Sequence, residues 1–138
     1  MARYTDTGLD TPARLACANR FLRDIGVKGP RLFSAPDLGR TATFEIDESG
    51  QLWWKDPVSR CRVFMHPRHP WVNFPYNHHL RALIHGLRGF ILLGYKLDPN
   101  FFRPTLDNGR LHPWGFSEHM DYIREAGQRQ QVIAKPRR

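Results

Sequence analysis

Basic and aromatic side chains are predicted to share one face of a small sheet. Residues 41–47 alternate between apolar and polar types, and residues 51–55 and 60–66 form two further predicted strands after turn sequences. Successive side chains of a strand point to opposite faces, so adjacent tryptophans cannot share one core. The predicted core face carries Ala42, Phe44, Ile46, Leu52, Trp54, Cys61, Val63 and Met65. The opposite face carries Thr43, Glu45, Trp53, Lys55, Arg60, Arg62, Phe64 and His66.

The chemistry of this outward face suits single-stranded nucleic acid. An outward tryptophan can stack bases while guanidinium groups hold phosphates, as in sheet-based RNA binders. The candidate binding residues are Trp53, Lys55, Arg60, Arg62 and Phe64. The alternative is that the aromatic segment 101–116 folds over this face and buries its aromatic side chains, because loops so rich in aromatics seldom stay in water.

A second candidate surface lies on a predicted helix of residues 76–93. His78, Arg81, His85 and Arg88 recur there at helical spacing opposite an apolar face, and the stripe contains no Asp or Glu. Laid along a row of phosphates, such a stripe would position nucleic acid, with histidine adding charge below neutral pH. The alternative is that it is only the solvated side of an amphipathic helix.

Histidines are dense between residues 61 and 85, which raises the question of a metal. Structural zinc sites present paired ligands such as Cys-x2-Cys, and the spacing of Cys61, His66 and His69 does not match them. Cys61 also has the parity of a core residue. No metal and no cofactor are therefore predicted.

One set of residues resembles the ββα-metal nucleases. It consists of His66 at a strand end, the intervening Asn73 and the histidine pair 78–79. The resemblance implies a metal-dependent nuclease, but Met65 and Pro67 stand where those nucleases carry an acidic residue beside the first histidine. The chain also lacks a phosphate-binding glycine loop and a Gly-x-Ser-x-Gly elbow. A binding module is thus favoured over an enzyme, and no catalytic residue is assigned.

The charge of the chain is unevenly distributed. Residues 1–50 hold seven basic and seven acidic side chains, whereas residues 51–138 hold fourteen basic and six acidic ones, which accounts for the net charge of +8. Arginine supplies 17 of the 21 basic residues and suits bidentate phosphate contact, although a GC-rich genome would also favour it. Either origin predicts attraction to polyanions.

The predicted elements define an α+β fold. A helical segment runs from Thr11, its predicted cap, to Gly26, the predicted left-handed residue after its end, and precedes a loop over residues 27–40 and the three-stranded antiparallel meander. The long amphipathic helix, an aromatic loop or short hairpin over residues 98–116, and a short C-terminal helix from Ser117 to Ala126 follow. The order resembles that of double-stranded-RNA-binding domains, but Asn77-His78-His79 replaces their basic cluster.

Length and composition predict one domain in a reducing compartment. We expect a single compact domain over residues 1–127 and a basic, flexible tail over residues 128–138. Cys17 and Cys61 show no disulfide framework, and the longest apolar run, residues 90–93, is too short to span a bilayer. We therefore expect a cytoplasmic location and no membrane partner.

Three functional hypotheses follow, in order of preference. The first is a small basic module that binds RNA or single-stranded DNA, alone or within a larger nucleoprotein complex. The second is a protein-interaction adaptor or inhibitor that docks on a protein partner through the aromatic segment 101–116. The third is the metal-dependent nuclease. Salt distinguishes the first two, because phosphate binding weakens steeply with ionic strength and apolar docking does not.

Overall fold

The computed structural model describes residues 8–27, 34–35, 40–55, 62–64, 78–99, 102 and 120–135. Within these ranges the chain contains both helices and antiparallel strands, which confirms the predicted α+β class. The helices are α1 (Thr11–Val27), α2 (His78–Leu93) and α3 (Met120–Arg129). The strands are β1 (Ser34–Ala35), β2 (Arg40–Thr41), β3 (Thr43–Ile46), β4 (Leu52–Lys55) and β5 (Arg62–Phe64).

The strands form two antiparallel sheets. β3, β4 and β5 pair in that order, with Phe44 opposite Trp54 and Trp54 opposite Val63. β1 pairs with β2 in a separate two-stranded sheet. This second pair begins inside the stretch predicted to be a loop, residues 27–40, and corrects that prediction. Strands of two residues are too short to show an alternating pattern in sequence.

The N-terminal helix α1 extends further at both ends than the sequence predicts. The Oδ1 atom of Asp10 accepts a hydrogen bond from the backbone N–H of Ala13 at 2.9 Å, so Asp10 is the N-cap and Thr11 is the first helical residue. At the other end the helix continues through Gly26 to Val27. The prediction had placed the cap at Thr11 and the end before Gly26.

The core forms around α1, which packs against α2, α3 and β3. The buried residues of α1 include Cys17 and Phe21, whereas helical spacing in the sequence predicts an apolar face of Leu15, Ala18, Leu22 and Ile25. Of the predicted core face of the sheet, Ile46 is only half-buried, and the side chains at positions 61, 63 and 65 lie outside the described part. The other buried residues of helices and sheet include Ala18, Leu22, Ile25, Ala42, Phe44, Leu52, Trp54, Leu83, Ile84, Leu87, Phe90, Ile91, Met120, Ile123 and Ala126.

Asn19 of α1 is joined to the edge of the three-stranded sheet. Its Oδ1 atom accepts a hydrogen bond from the backbone N–H of Phe44 at 2.7 Å, and its Nδ2 atom donates to the Phe44 carbonyl oxygen at 3.1 Å. Among the described strands β3 is the terminal one of this sheet, so no described strand pairs with these backbone groups on that side. The Asn19 amide supplies the missing donor and acceptor and blocks the edge to other strands.

Arg14 links α1 to the C-terminal end of α2. Its Nε atom donates to the carbonyl oxygen of Ile91 at 3.0 Å, and its Nη1 atom donates to the carbonyl oxygen of Leu9. The cation thereby satisfies a carbonyl in the last turn of α2, where the helix dipole favours positive charge. Gly94, at a φ of 81°, then ends α2, and its N–H donates to the Phe90 carbonyl at 2.9 Å.

Polar side chains connect α1 to α3 and the residues that follow it. The hydroxyl of Tyr122 donates to the carbonyl oxygen of Asp24 at 3.0 Å. The amide of Gln130 donates to the Asp24 carboxylate at 3.1 Å and accepts a hydrogen bond from Arg20 Nε at 2.9 Å. These bonds hold α3 and Gln130 against the C-terminal half of α1, whereas Arg14, which contacts the end of α2, lies in the N-terminal half of α1.

The segment after α3 packs into the core, whereas the sequence predicts a flexible tail from residue 128. Val132, Ile133 and Ala134 are buried, and Ile133 pairs with Leu97 in a parallel bridge. The tail prediction is wrong for residues 128–134 because three apolar residues stand inside a polar, basic stretch, and their burial requires partners distant in sequence. Residues 136–138 lie outside the described part.

A Schellman motif at the end of α3 turns this segment into the core. The N–H of Val132 donates to the Gly127 carbonyl at 2.8 Å, and the N–H of Gln131 donates to the Gln128 carbonyl at 3.2 Å. Gln131 takes the left-handed position usually held by glycine, with a φ of 63°. The absence of a side chain at Gly127 allows Ile133 to pack closely against it. A Cβ atom at position 127 would lie 2.2 Å from the Ile133 Cδ1 atom.

Replacing Asn19 with Asp should destabilise the protein at neutral pH. The variant keeps the side-chain shape but places a carboxylate against the Phe44 carbonyl oxygen, so we expect the free energy of unfolding to fall by ~1–3 kcal/mol. In acid the protonated carboxyl can donate again, and the deficit should shrink. Urea unfolding at several pH values measures this, with Arg23→Gln as a control of equal charge change. A stability equal to that of the native protein at neutral pH contradicts the edge contact.

Replacing Gln131 with Gly should stabilise the protein. Glycine adopts the left-handed conformation without the steric cost that a side chain incurs, although it is more flexible in the unfolded chain. We expect the free energy of unfolding to rise by about 0.5–1 kcal/mol in urea titrations. Gln131→Ala removes the same polar group without relieving the backbone and should not stabilise. Equal effects of the two substitutions would refute the conformational explanation.

Candidate functional site

Two of the predicted binding residues stack on each other on the outward face of the three-stranded sheet. The guanidinium carbon of Arg62 lies 4.4 Å from the centroid of the Trp53 ring. The strand register produces this contact, because Trp53 lies opposite Phe64 and Arg62 lies opposite Lys55, which makes Arg62 and Trp53 diagonal neighbours. A cation at this distance from an indole is attracted by the negative face of the ring.

Asp47 holds the Trp53 indole at its ring nitrogen. Its Oδ2 atom accepts a hydrogen bond from the Trp53 Nε1–H at 2.9 Å. Its Oδ1 atom accepts hydrogen bonds from the Ser49 hydroxyl at 2.7 Å and from the Gln51 backbone N–H at 2.9 Å. Gly50, at a φ of 85°, allows the chain to turn tightly enough for these donors to converge. The turn between β3 and β4 therefore orients the Trp53 ring.

These hydrogen bonds stabilise the ionised form of the Asp47 carboxyl group. Its pKa is lowered from 3.8 to about 2, chiefly by the hydrogen bond from the Trp53 indole and then by those from the Ser49 hydroxyl and the Gln51 backbone. Donors that converge on a carboxylate stabilise its ionised form. Asp47 is thus ionised at neutral pH and acts as a fixed acceptor for Trp53.

Glu45 is the second carboxylate on this face. It lies opposite Trp53 in the register of β3 and β4, and its Oε2 atom is 3.8 Å from the Nε atom of Arg62. That distance is short enough for an ion pair but too long for a hydrogen bond. The side chains of Arg62 and Glu45 are 47% and 43% exposed. We name Glu45, Asp47, Trp53 and Arg62 together the Trp53 platform.

The described part of the outward face is electrically balanced. Lys55, half-buried in β4, joins Arg62 as the second base, and Glu45 and Asp47 are the two acids. The sequence predicts a basic and aromatic face because Asp47 is absent from the predicted outward residues, whereas the structure joins its carboxylate to Trp53. Arg60 and the side chain of Phe64, the remaining predicted residues, lie outside the described part of the chain.

Residues of the predicted helical stripe all lie in α2. His85 is exposed and Arg88 is half-buried, three residues apart on the helix. The backbone of His78 and Arg81 is helical, and their side chains lie outside the described part. Of these four, the structure therefore describes the side chains of the C-terminal two alone.

The aromatic segment 101–116 is described at a single residue. Phe102 is fully buried in the core, and its carbonyl oxygen accepts a hydrogen bond from Arg124 Nη1 at 3.1 Å. This residue of the predicted docking segment is therefore not available to a protein partner. Whether the other aromatics cover the sheet face concerns residues outside the described ranges.

Neither a metal cluster nor a membrane helix is found in the described ranges. No group of three or more His, Cys, Asp or Glu side chains among the described residues is placed to hold a metal ion. The histidines and cysteine at positions 61, 66 and 69 lie outside those ranges. None of the helices described has both the length and the apolar character needed to cross a membrane.

The chain matches no family model, no curated protein and no solved structure.

Replacing Asp47 with Asn should weaken the fold in a pH-dependent way. An asparagine offers one acceptor oxygen where two are used, so we expect a lower free energy of unfolding at neutral pH. Because the folded-state pKa is lowered, the carboxylate's stabilising effect is present above the ordinary value of 3.8 and is lost as the pH falls through about 2.

The difference between native protein and Asp47→Asn should therefore narrow across that acidic range in urea unfolding followed by tryptophan fluorescence. Glu48→Gln removes an exposed carboxylate of the same turn and serves as the control. A difference that stays constant as the pH falls would show that the Asp47 charge is irrelevant.

Proposed function

We propose that the protein binds single-stranded RNA or DNA through the Trp53 platform. The observation that supports this most directly is the half-exposed guanidinium of Arg62 stacked 4.4 Å from the Trp53 ring centroid. Unpaired bases stack on guanidinium planes and on aromatic rings. A base lying on Arg62 would extend the stack that Trp53 and Arg62 already form.

The orientation of Trp53 before binding strengthens this proposal. Asp47 holds the indole by a hydrogen bond of 2.9 Å, and Trp53 lies in a paired strand. A side chain that is already ordered loses little conformational entropy when a ligand binds. The Trp53 platform is therefore a prepared stacking surface, unlike an arginine on a mobile loop.

Long-range attraction in this proposal comes from the chain as a whole. The described part of the outward face is balanced in charge, whereas residues 51–138 carry the entire net charge of +8. A positive field draws a polyanion to the protein and makes affinity depend on salt. The platform then orients a base, with Lys55, Arg60 and Phe64 of the predicted meander extending the contact. The α2 stripe of His78, Arg81, His85 and Arg88 is the second surface proposed for phosphate contact.

The proposed setting is the cytoplasm, where the protein acts as a binding module and not as an enzyme. It binds nucleic acid alone or as part of a nucleoprotein complex.

A titration with paired arginine variants tests the site. Labelled single-stranded RNA and DNA are titrated by fluorescence anisotropy at several salt concentrations with native protein, Arg62→Gln and Arg23→Gln. Both variants lose one positive charge, but Arg23 is an exposed residue of α1 and is not part of the platform. We expect Arg62→Gln to weaken binding by ~1–3 kcal/mol and Arg23→Gln to have a much smaller effect.

Arg62→Lys separates stacking from charge. Lysine keeps the positive charge but lacks the planar guanidinium, so affinity should fall while the salt dependence stays near that of the native protein. Equal, small losses for substitutions at positions 62 and 23, with no preference for single strands over duplex, would indicate only general attraction to polyanions. That outcome would favour the protein-partner hypothesis.

A further inference from the structure

We propose that the Trp53 platform selects guanine among the bases, with Glu45 accepting hydrogen bonds from the Watson–Crick edge of a guanine stacked on Arg62. This inference rests on the proposed function and assigns a base preference to the same site. The inference starts from the presence of the Glu45 carboxylate beside Arg62, because a carboxylate repels phosphate and would not be expected at a surface that binds phosphate alone.

Glu45 lies beside the surface on which a base would stack. Glu45 lies directly opposite Trp53 on the outward face, and its Oε2 atom is 3.8 Å from the Arg62 Nε atom. A ring stacked on the Arg62 guanidinium would therefore bring one of its edges toward the Glu45 carboxylate. At 43% exposure the Glu45 side chain remains accessible to a ligand from solvent.

The carboxylate oxygens of Glu45 can accept hydrogen bonds from a ligand. The 3.8 Å separation from Arg62 is too long for a hydrogen bond, so the two carboxylate oxygens can still accept. Asp47 differs, because the Trp53 indole, the Ser49 hydroxyl and the Gln51 backbone already occupy its oxygens. Glu45 is thus the carboxylate of the platform that can bind a base.

The bases differ in the hydrogen-bond donors that their Watson–Crick edges offer to a carboxylate. An ionised carboxylate only accepts hydrogen bonds, so it selects base edges that donate. Guanine presents two adjacent donors, N1–H and the N2 amino group, which match the two oxygens of one carboxylate. Adenine and cytosine present an amino group beside an acceptor nitrogen, and uracil presents one N–H between two carbonyl oxygens. The expected order is guanine, then adenine and cytosine, then uracil.

Single-base variants of one oligonucleotide test this order. Short oligouridines with one central guanosine, inosine, adenosine, cytidine or uridine are titrated with native protein, Glu45→Gln and Glu48→Gln. Inosine lacks only the N2 amino group of guanosine, so it measures the second hydrogen bond. We expect the native protein to bind the guanosine oligonucleotide on the order of tenfold more tightly than the inosine one.

The two glutamate variants should behave differently. Glu45→Gln replaces one acceptor by a donor, so it should remove the preference for guanosine, while Glu48→Gln, which loses the same charge from the exposed turn, should retain it. Circular dichroism and urea midpoints check that both variants fold. Because Glu45 is only half-buried, a large loss of stability is not expected.

The outcomes separate this inference from the proposal beneath it. Equal affinity of native protein for guanosine and inosine, with binding still dependent on Arg62, overturns guanine selection and leaves nucleic-acid binding intact. Tighter binding of every oligonucleotide by Glu45→Gln also overturns it, since Glu45 would then compete with phosphate for Arg62. Absence of single-strand binding by the native protein overturns both.

Discussion

The pairing of the Asn19 amide with the backbone of Phe44 is the contact that connects the helical and sheet parts of the described structure. Two hydrogen bonds, at 2.7 and 3.1 Å, occupy the open edge of β3 and bring the sheet against α1. Since α1 also packs against α2 and α3, its position relative to β3 determines where the helices lie against the sheet. An aliphatic residue at position 19 could pack there but would leave both backbone groups of Phe44 without a partner.

This arrangement decides which side chains face outward. With Phe44 and Trp54 buried against the helices, the strand alternation places Glu45 and Trp53 on the opposite face. A shift of β4 by one residue against β3 would turn Trp53 toward the core and Trp54 outward, and would separate Trp53 from Glu45. The geometry around Trp53 is therefore a direct consequence of core packing, and the Asp47 turn refines the orientation of a ring that the core has already directed outward.

Periodicity made part of this fold predictable from the sequence. The alternation around Phe44 and Trp54 and the leucine-rich face of α2 depend on neighbours along the chain, and both kinds of pattern indicated buried faces that the structure describes. The stacking of Arg62 on Trp53 follows from parity once the register is known. The hydrogen bonds from Ser49 and Gln51 to Asp47 could have been suspected, because an Asp in a turn commonly accepts hydrogen bonds from residues just after it, whereas the bond from the Trp53 indole depends on the pairing of β3 with β4.

Other features depend on contacts that no local pattern reveals. The bond between Arg14 and the Ile91 carbonyl spans 77 residues, and the bond between Tyr122 and the Asp24 carbonyl spans 98. The burial of Ile133 is of the same kind, since it requires the cleft beside Gly127 and the bridge to Leu97. Those long separations also have a kinetic consequence. The apolar face of α1 is synthesised first but cannot be covered until α2, α3 and the Val132–Ala134 segment have left the ribosome. High contact order of this sort slows folding and prolongs the exposure of the apolar face of α1 during synthesis.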